Sequence, residues 1–439
     1  ALDVLRQGPL TGYLGGWAVP LGIRLRVDGL SAILLLLLAI VGLFISIYSL
    51  QALGPARGTR GRAARYYWPL WLFLLAALNG MFLSADLFNL YVTLELSGLS
   101  AVALVALAGT KTALDSALRY LFVSLSGSLL YLMGVALLYG ACGTLDLELL
   151  AGHITGPPGW TAMALMTAGL MMKGALFPLH FWLPPAHSSA PAPVSAALSA
   201  LVVKGSLYIL LRLWFESAVG VVPQGALQLL GACGAAAILW GALQALVQER
   251  LKLLVAYSTV AQLGYLYLFF PLAAGGGVQV WTGGLIFLSA HAFAKAAMFL
   301  AAGNIIKAAG HDRISELGGI TRVSPVSVFT IGLAGISLVG LPPSAGFVGK
   351  WLLLGASLQQ GQWWWVAVII GGSMLSAAYM VRLLSQAFIR DGAAAAWKGV
   401  PPGLEWSAFV MAAAAFLLGF AARFFQSLLQ GLTWLGGAP

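Results

Sequence analysis

Long apolar stretches recur along the chain from residue 28 nearly to its end. A helix needs about 20 apolar residues to cross the bilayer core, and an open strand leaves backbone groups without partners in lipid. The stretches also lack the two-residue alternation of a membrane β-barrel. The pattern therefore predicts an all-α polytopic membrane protein with about twelve transmembrane helices, at 29–50, 67–84, 88–108, 118–141, 160–181, 192–215, 225–247, 251–271, 278–303, 325–354, 363–388 and 405–428.

Composition supports this fold class. Of 439 residues, 60% are hydrophobic and 8% are charged, whereas soluble domains carry roughly 25% charged residues. We therefore expect residues 1–439 to form a single transmembrane domain in contact with the lipid bilayer. The net charge of +10 comes mostly from loops between spans, which favours membrane topology over nucleic-acid binding.

Basic residues define the predicted orientation. They follow the first span and then recur after alternate spans, and such basic loops remain in the cytoplasm. This predicts a multi-pass protein of a prokaryotic cytoplasmic (inner) membrane, with both termini outside. The basic residues on the predicted cytoplasmic side are Arg57, Arg60, Arg62, Arg65, Lys111, Arg250, Lys252, Lys307, Arg313, Arg322, Arg390 and Lys398.

Two predicted spans contain helix-breaking residues. Span 160–181 runs into prolines from Pro178 onward, and span 325–354 carries Gly340 followed by Pro342 and Pro343. Proline removes a helix hydrogen bond, and irregular backbone at membrane depth needs a protein or water-filled cavity around it. One break alone is typical of a packing kink. Two breaks five spans apart indicate inverted five-helix repeats, at approximately 67–215 and 225–388, with flanking helices in 1–66 and 389–439.

Ionisable residues within the spans are the candidate functional groups, because such residues are costly in lipid and often mark ion pathways. Simpler interpretations exist for some of them. Lys350 could reach an interface, His291 could be a satisfied core histidine, and Glu95 could form a static pair with Lys173. A static pair does not explain the remaining buried amines. We call the six residues the charge row: Glu95, Lys173, Lys204, His291, Lys295 and Lys350.

The charge row suits proton transfer. Burial disfavours a charged ammonium, and a nearby carboxylate favours it, so a change in the Glu95–Lys173 distance would make the lysine hold or release a proton. His180 and His187 flank the first break and are candidate cavity-lining residues. Asp86 is predicted to cap the helix that follows it. The outer-loop residues Asp146, Glu148 and His153 are predicted to be solvated.

Other chemistry finds no support in the sequence. There is no phosphate-binding glycine loop, catalytic triad or zinc spacing. Cys142 and Cys233 lie apart, and the five histidines are scattered. We therefore expect no metal, no cofactor and no catalytic centre of its own, although the chain could be a subunit of an ion-translocating oxidoreductase, a translocase.

Three motifs resemble a known family. They are KGALFPLHFWLPPAH at 173–187, LSAHAF at 288–293 and GLPPSAGF at 340–347. They are similar to the antiporter-like subunits of respiratory complex I, Mrp-type Na+/H+ antiporters and membrane-bound hydrogenases. The stretch DLFNLYV at 86–92 most resembles the Mrp D-type and hydrogenase subunits.

The resemblance implies fourteen helices, two inverted repeats and a central row of glutamate and lysine side chains. By motif, Glu95, Lys173, Lys204, His291 and Lys350 match functional positions of the family. Gln262 stands where several relatives have histidine, and is a further candidate lining residue. The first two family helices are expected to be absent or to lie outside this chain. Partners implied are other membrane subunits of a heteromeric complex.

These observations predict a proton-translocating membrane subunit of a multi-subunit cation/proton antiporter or an energy-converting redox complex. The sequence is compatible with transport driven by a redox reaction and with transport driven by secondary antiport. It is also compatible with Na+ as well as protons as the transported ion. Two alternatives stay open: a subunit that couples the proton gradient to a partner's uptake or chemistry, and a non-conducting membrane scaffold.

Overall fold

The computed structural model describes residues 1–53, 58–389 and 397–430, with the side chains of 58–63 excepted. The main elements, in chain order, are α1 (Leu2–Gln7), β1 (Leu10–Tyr13), β2 (Arg24–Val27), α2 (Gly29–Leu53), α3 (Gly58–Leu83), α4 (Leu87–Ala106), α5 (Lys111–Cys142), α6 (Gly156–Lys173), α7 (Leu183–Ser189), α8 (Ala192–Ala197), α9 (Val203–Arg212), α10 (Gln224–Val247), α11 (Leu251–Ala273), α12 (Gly277–Ala309), α13 (Pro325–Val339), α14 (Ala345–Gln359), α15 (Trp363–Ala387), α16 (Pro402–Leu417) and α17 (Ala422–Leu429).

The all-α character of the membrane-spanning part is confirmed. Ten helical segments of the described chain are long and apolar enough to cross a membrane. The two predicted spans missing from these ten are the interrupted ones, because α6 ends early and α13 has only 15 residues. Counting the interrupted segments gives the predicted total of about twelve. A two-stranded antiparallel hairpin of β1 and β2, which the sequence did not predict, precedes the first span.

Loops that the sequence assigned to one side of the membrane lie together. On the side predicted to be outer, the backbone of Leu25 in β2 forms an isolated β-bridge with that of Ser84, and the backbones of Asp86 and Asp146 form another. On the opposite side, the backbones of Arg250 and Arg313 form a β-bridge, and the backbone N–H of Lys398 donates to the Ala308 carbonyl at 3.2 Å. The predicted grouping of the loops is thus confirmed for these segments. Arg57 and Arg390 lie outside the described residues, as do the side chains of Arg60 and Arg62.

Three segments form the centre of the molecule. The apolar windows of 192–217 and of α12 are completely buried, and that of α11 is 89% buried. The segment 192–217 is one continuous helix that contains π-helical turns at Leu198–Val202 and Leu213–Ser217, on either side of α9. Such turns leave backbone carbonyls outside the regular hydrogen-bond ladder and often occur at functional sites. Lys204, His291 and Lys295 all lie on these central helices.

The two broken helices enter the molecule from opposite sides. Helix α6 begins on the side predicted to be outer and ends at Lys173, before Pro178. Helix α13 begins on the side predicted to be cytoplasmic and ends at Val339, before Pro342. A third interruption was not predicted. The expected span 405–428 is divided by a 3-10 turn at Leu418–Ala421, and Gly419 in that turn packs against the backbone of residues 343–345. Contact with the second break explains this interruption. The sequence at the turn contains no proline from which the interruption could have been predicted.

The packing of the second break leads to a prediction about Gly346. A Cβ atom on Gly346 would lie 1.8 Å from the Ser337 carbonyl oxygen, whereas one on Gly355, in the same helix α14, meets nothing within 4 Å. We expect Gly346→Ala to destabilise the protein by about 1–3 kcal/mol through overpacking. Gly355→Ala should be neutral or stabilising by up to about 1 kcal/mol, because alanine favours helix. Thermal unfolding of the two purified variants measures this difference. Equal stabilities would contradict the close packing of α13 on α14.

Candidate functional site

The first part of the charge row is an ion pair at the end of α6. Lys173 is the last residue of this helix, and its Nζ lies 2.9 Å from Glu95 Oε1 on α4. The same amine donates to the Leu94 carbonyl at 3.4 Å. The side chain of Lys173 is 5% exposed and that of Glu95 is 18% exposed. Two glycines, Gly98 and Gly127, make room for the lysine side chain, since a Cβ on either would lie within 3.4 Å of it.

Lys204 lies at the centre without a carboxylate beside it. It is fully buried on α9, and its Nζ donates to the carbonyl of Ser199 in the preceding π-helical turn. No carboxylate among the described residues lies within salt-bridge distance of this amine. A buried amine that is held only by a neutral oxygen can exchange between charged and neutral forms at lower cost than one locked in an ion pair.

His291 and Lys295 share one face of α12, as predicted, and both are fully buried. Lys295 Nζ donates to Ser258 Oγ at 2.5 Å and to the Val255 carbonyl at 3.2 Å, both on α11. The His291 ring stacks on Phe287, and neither ring nitrogen has a hydrogen-bond partner among the described residues. This argues against a satisfied core histidine. His291 lies within Coulombic range of the amines of Lys204, Lys295 and Lys350.

Lys350 ends the row at the second break. Its Nζ donates to the carbonyls of Leu338 and Val339, at 2.7 and 3.2 Å, and to Ser373 Oγ at 3.2 Å. These carbonyls belong to the last turn of α13, where the helix dipole favours a positive charge. The amine also lies 4.3 Å from the centre of the Tyr265 ring. Lys350 is 4% exposed, so its side chain is inside the protein and does not reach an interface.

The three candidate lining residues are buried. His180 stacks on Phe177, and His187 stacks on Phe299 of α12; in each case the Nδ1 atom has no partner among the described residues. Gln262 Nε2 donates to Ser376 Oγ at 3.3 Å, and its Oε1 atom is without a described partner. Buried polar atoms of this kind are normally satisfied by protein or water, so these positions are suited to holding internal water.

A second buried charge cluster lies toward the side predicted to be outer, and the sequence analysis missed it. Arg212 on α9 donates to Asp28 through both terminal nitrogens, at 2.5 and 2.6 Å, and to Glu216 at 3.1 Å. Arg26 also pairs with Glu216. We call Arg26, Asp28, Arg212 and Glu216 the outer ion cluster. An arginine within the apolar run LLRLW was the available signal, but the partner Asp28 is 184 residues away.

Two residues that were expected in solvent are buried. Asp146 is 3% exposed and pairs with Arg24 at 3.1 Å, so its predicted solvation is wrong. Burial raises the pKa of its carboxyl, although the Leu149 N–H and the Arg24 charge oppose this. Lys252, predicted as a cytoplasmic loop charge, is 6% exposed. By contrast, Asp86 caps α4 as predicted, accepting from the Asn89 N–H at 2.8 Å.

The fold and the site together define a polytopic membrane protein with several ionisable side chains buried in its interior. A model of the family described as NADH:quinone oxidoreductase/Mrp antiporter, transmembrane, matches residues 84–376. This range contains both breaks and the entire charge row. The chain belongs to this family, and is an antiporter-like membrane subunit of the Mrp or complex I type.

Individual relatives come from both branches of the family. The chain is 38% identical to the N subunit of the NADH-quinone oxidoreductase of Desulforudis audaxviator, over 92% of this chain and 81% of that protein. It is 31% identical to the D subunit of the Na(+)/H(+) antiporter of Bacillus subtilis, over 88% and 77% respectively. The fold matches a chain in the structure of the Mrp complex from Dietzia sp. with a TM-score of 0.88 and 25% identity, over 98% of this chain and 87% of that one.

Proposed function

We propose that the chain carries protons along the charge row through the interior of the membrane. The observation that carries this proposal is that one lysine of the row pairs with a carboxylate, whereas the other lysines have no carboxylate within salt-bridge distance among the described residues. Lys173 Nζ lies 2.9 Å from Glu95 Oε1, while the next amine in the row, on Lys204, has the Ser199 carbonyl as its partner in the described part of the chain. Amines in neutral surroundings can pass a proton, and the carboxylate at one end can bias where the proton rests.

The row works as a relay if Glu95 changes its distance from Lys173. With the pair closed, the carboxylate stabilises the ammonium. With the pair open, the buried ammonium loses its counter-charge, and the proton moves toward Lys204 and then His291 through internal water. His180, His187 and Gln262 are positioned to hold such water. Lys350, on α14, ends the row, with its amine bound to the carbonyls of the last turn of α13.

The two halves of the row fit two inverted repeats, which we place at approximately 67–215 and 225–388. The opposite directions of α6 and α13 support this division. Each repeat then contributes a broken helix with a lysine at the break, Lys173 in one and Lys350 in the other. Residues 1–66 and 389–439 would supply the flanking helices.

We infer that the chain acts within a heteromeric membrane complex. Its relatives are subunits of larger assemblies, one an oxidoreductase and one a Na(+)/H(+) antiporter. In either setting the driving reaction belongs to the partners, and this chain supplies the proton path. Purification with the natural partners distinguishes the two: iron–sulfur or quinone-site subunits indicate redox drive, and small membrane subunits alone indicate secondary antiport.

Proton translocation by sealed vesicles that contain the whole complex tests the proposal. Lys173→Ala removes the acceptor beside Glu95, so we expect the rate to fall on the order of 10²-fold, the usual contribution of a positioned proton-transfer group. Assembly must be equal in the two preparations. Unchanged translocation with normal assembly would mean that the charge row is structural and that the ion path lies in another subunit.

A further inference from the structure

A polar cavity lies between α5 and α7, on the side predicted to be cytoplasmic. It has a volume of about 290 Å³. Its lining comes from the first turns of α5, from α7 and from the segment just before α11, and it includes Asp115, Arg119, Pro185, Ser188 and Arg250. No member of the charge row contributes to this lining, so the proposed proton relay does not account for the charges gathered here.

Two opposite charges of α5 line the cavity one helical turn apart, and they do not pair with each other. Residues four apart on a helix are close enough to form an ion pair. Asp115 and Arg119 nevertheless make no salt bridge and no side-chain hydrogen bond among the described residues, and the arginine that pairs with a carboxylate at this cavity is Arg250, with Asp312. Both residues are exposed. They are therefore free to bind a ligand that carries charge of both signs.

Arg250 adds a second guanidinium to the cavity. Its Nε donates to both carboxylate oxygens of Asp312, each at 3.0 Å, and its two terminal nitrogens have no partner among the described residues. Guanidinium groups bind phosphate oxygens with short, charge-assisted hydrogen bonds, often two at a time. The cavity thus offers phosphate donors on Arg119 and Arg250, and a carboxylate acceptor on Asp115.

The position of the cavity along α5 matches the level of the lipid headgroups. Helix α5 has 32 residues, so it is about 48 Å long, whereas the hydrocarbon core is about 30 Å thick. Its first turns, which carry Asp115 and Arg119, therefore extend into the headgroup region. Leu118 and Phe122 each follow one of these charges by three residues and so share their helix face. They are 51% and 65% exposed, and this apolar surface continues from the cavity toward the membrane centre.

The charges select among the ligands found at this level of a membrane. A purely anionic headgroup would be repelled by Asp115, and a simple cation would be repelled by the two arginines. A headgroup that carries a phosphate and an ammonium a few bonds apart complements all three side chains. Basic pockets between membrane helices on the cytoplasmic side commonly bind lipid headgroups, and the exposed Leu118 and Phe122 provide a surface for the attached acyl chains.

We propose that this cavity binds the headgroup of an ethanolamine phospholipid. The phosphate lies on Arg119 and Arg250, the ammonium lies on Asp115, and the acyl chains follow Leu118 and Phe122. A choline headgroup has the same charges, but its trimethylated nitrogen cannot donate a hydrogen bond to the carboxylate. A glycerol headgroup has no positive charge at all. The site therefore prefers ethanolamine to both. It binds lipid whether or not the charge row carries protons, so this inference is independent of the proposed function.

Lipid binding to the purified complex tests the site. The complex is delipidated in detergent and then given ethanolamine, choline or glycerol phospholipid with identical acyl chains, and bound lipid is counted by native mass spectrometry. The lipid of this cavity is the one that the wild type binds and Arg119→Gln does not. We expect it to be ethanolamine phospholipid, bound about tenfold more tightly than the other two, as one additional charge-assisted hydrogen bond allows. Equal binding of the three lipids, or tightest binding of the glycerol lipid, would overturn the proposal.

Two variants and a control assign the roles of the charges. Arg119→Gln removes a phosphate contact and should weaken binding of the ethanolamine lipid about tenfold. Asp115→Asn keeps the phosphate contacts, so it should bind choline and ethanolamine lipids equally. Lys307→Gln removes an exposed cation at the end of α12, outside the cavity, and should bind lipid as the wild type does. Wild-type binding by Arg119→Gln, or an unchanged preference in Asp115→Asn, would show that these charges do not form the site.

A headgroup without acyl chains separates a lipid site from a site for a soluble phosphate ester. Glycerophosphoethanolamine has the same phosphate and ammonium but nothing to cover Leu118 and Phe122. We expect it not to displace the bound lipid, even in large molar excess. Displacement at a concentration similar to that of the lipid would make the natural ligand a soluble compound and would overturn the assignment to a membrane lipid.

Discussion

Lys204→Met is expected to abolish proton translocation while the complex assembles normally. Lys204 is fully buried, and its amine contacts one carbonyl. The charge of Lys204 acts on His291 and on Lys295, so the proposed relay along the row passes through this side chain. Methionine fills similar volume and cannot carry a proton. The expected loss is therefore greater than that for any other single member of the row.

The same substitution should not destabilise the protein. A lysine at the centre of a membrane helix costs roughly 2.5–3.5 kcal/mol on insertion scales, and among the described residues Lys204 has no counter-charge that its removal would leave unpaired. Replacing it by an apolar residue should leave the thermal stability equal or higher. The experiment compares proton translocation and thermal unfolding of Lys204→Met with those of Lys307→Met, an exposed control. A stable variant that still transports at the wild-type rate would remove Lys204 from the path.

Asp28→Asn is expected to have the opposite profile, a large loss of stability. Asp28 is 2% exposed, and both of its oxygens accept from Arg212. Removing its charge takes away the carboxylate that binds both terminal nitrogens of the buried Arg212 guanidinium, and the neighbouring Glu216 is shared with Arg26. Breaking a buried pair in this way typically costs about 3–5 kcal/mol. The loss should appear as a lower unfolding temperature and a smaller yield of assembled complex.

The pKa of Asp28 sets the pH range of this effect. Burial alone would raise the pKa of Asp28. The charge and hydrogen bonds of Arg212, together with the charge of Arg26, outweigh burial and lower the pKa of Asp28 from its ordinary value of 3.8 to about 2. A carboxyl with a lowered folded-state pKa stabilises the protein above its unfolded pKa. Its contribution is thus complete above about pH 4 and is lost as the pH falls toward 2, so neutral buffer shows the full effect.

Two further variants control this experiment. Glu148→Gln removes a carboxylate that also contacts an arginine, Arg24, but is 63% exposed; its effect on stability should be below about 1 kcal/mol. The double variant Asp28→Asn/Arg212→Gln removes both charges and should be more stable than Asp28→Asn alone. If Asp28→Asn were as stable as the wild type, the outer ion cluster would not anchor α9 to the start of α2.

The sequence was informative about features that the apolar environment of the membrane requires of any chain. An apolar run of sufficient length must be a helix in lipid, and a proline within it must interrupt the hydrogen-bond ladder. For the same reason a charge inside a span stands out, and all six members of the charge row were identifiable from the pattern alone. The motif at 173–187 led to the family, which the comparisons confirmed.

The tertiary structure decided which charges lie together. Arg212 was visible in its span, but only long-range packing brings it to Asp28. Lys252 and Asp146 were assigned to loops because they lie near helix ends; neighbouring segments cover both of them. The third interruption, at Leu418–Ala421, depends on contact with the second break and has no local sequence signal.

Local pattern thus determined the helices, their breaks and the presence of buried ionisable groups, because each follows from placing a polar group or backbone in lipid. Folding in three dimensions determined the pairing of those groups, since contact partners are separated by many helices along the chain. It also determined that Lys173 has a carboxylate beside it and Lys204 has none among the described residues. That difference depends on which helices pack together, and a single span does not contain this information.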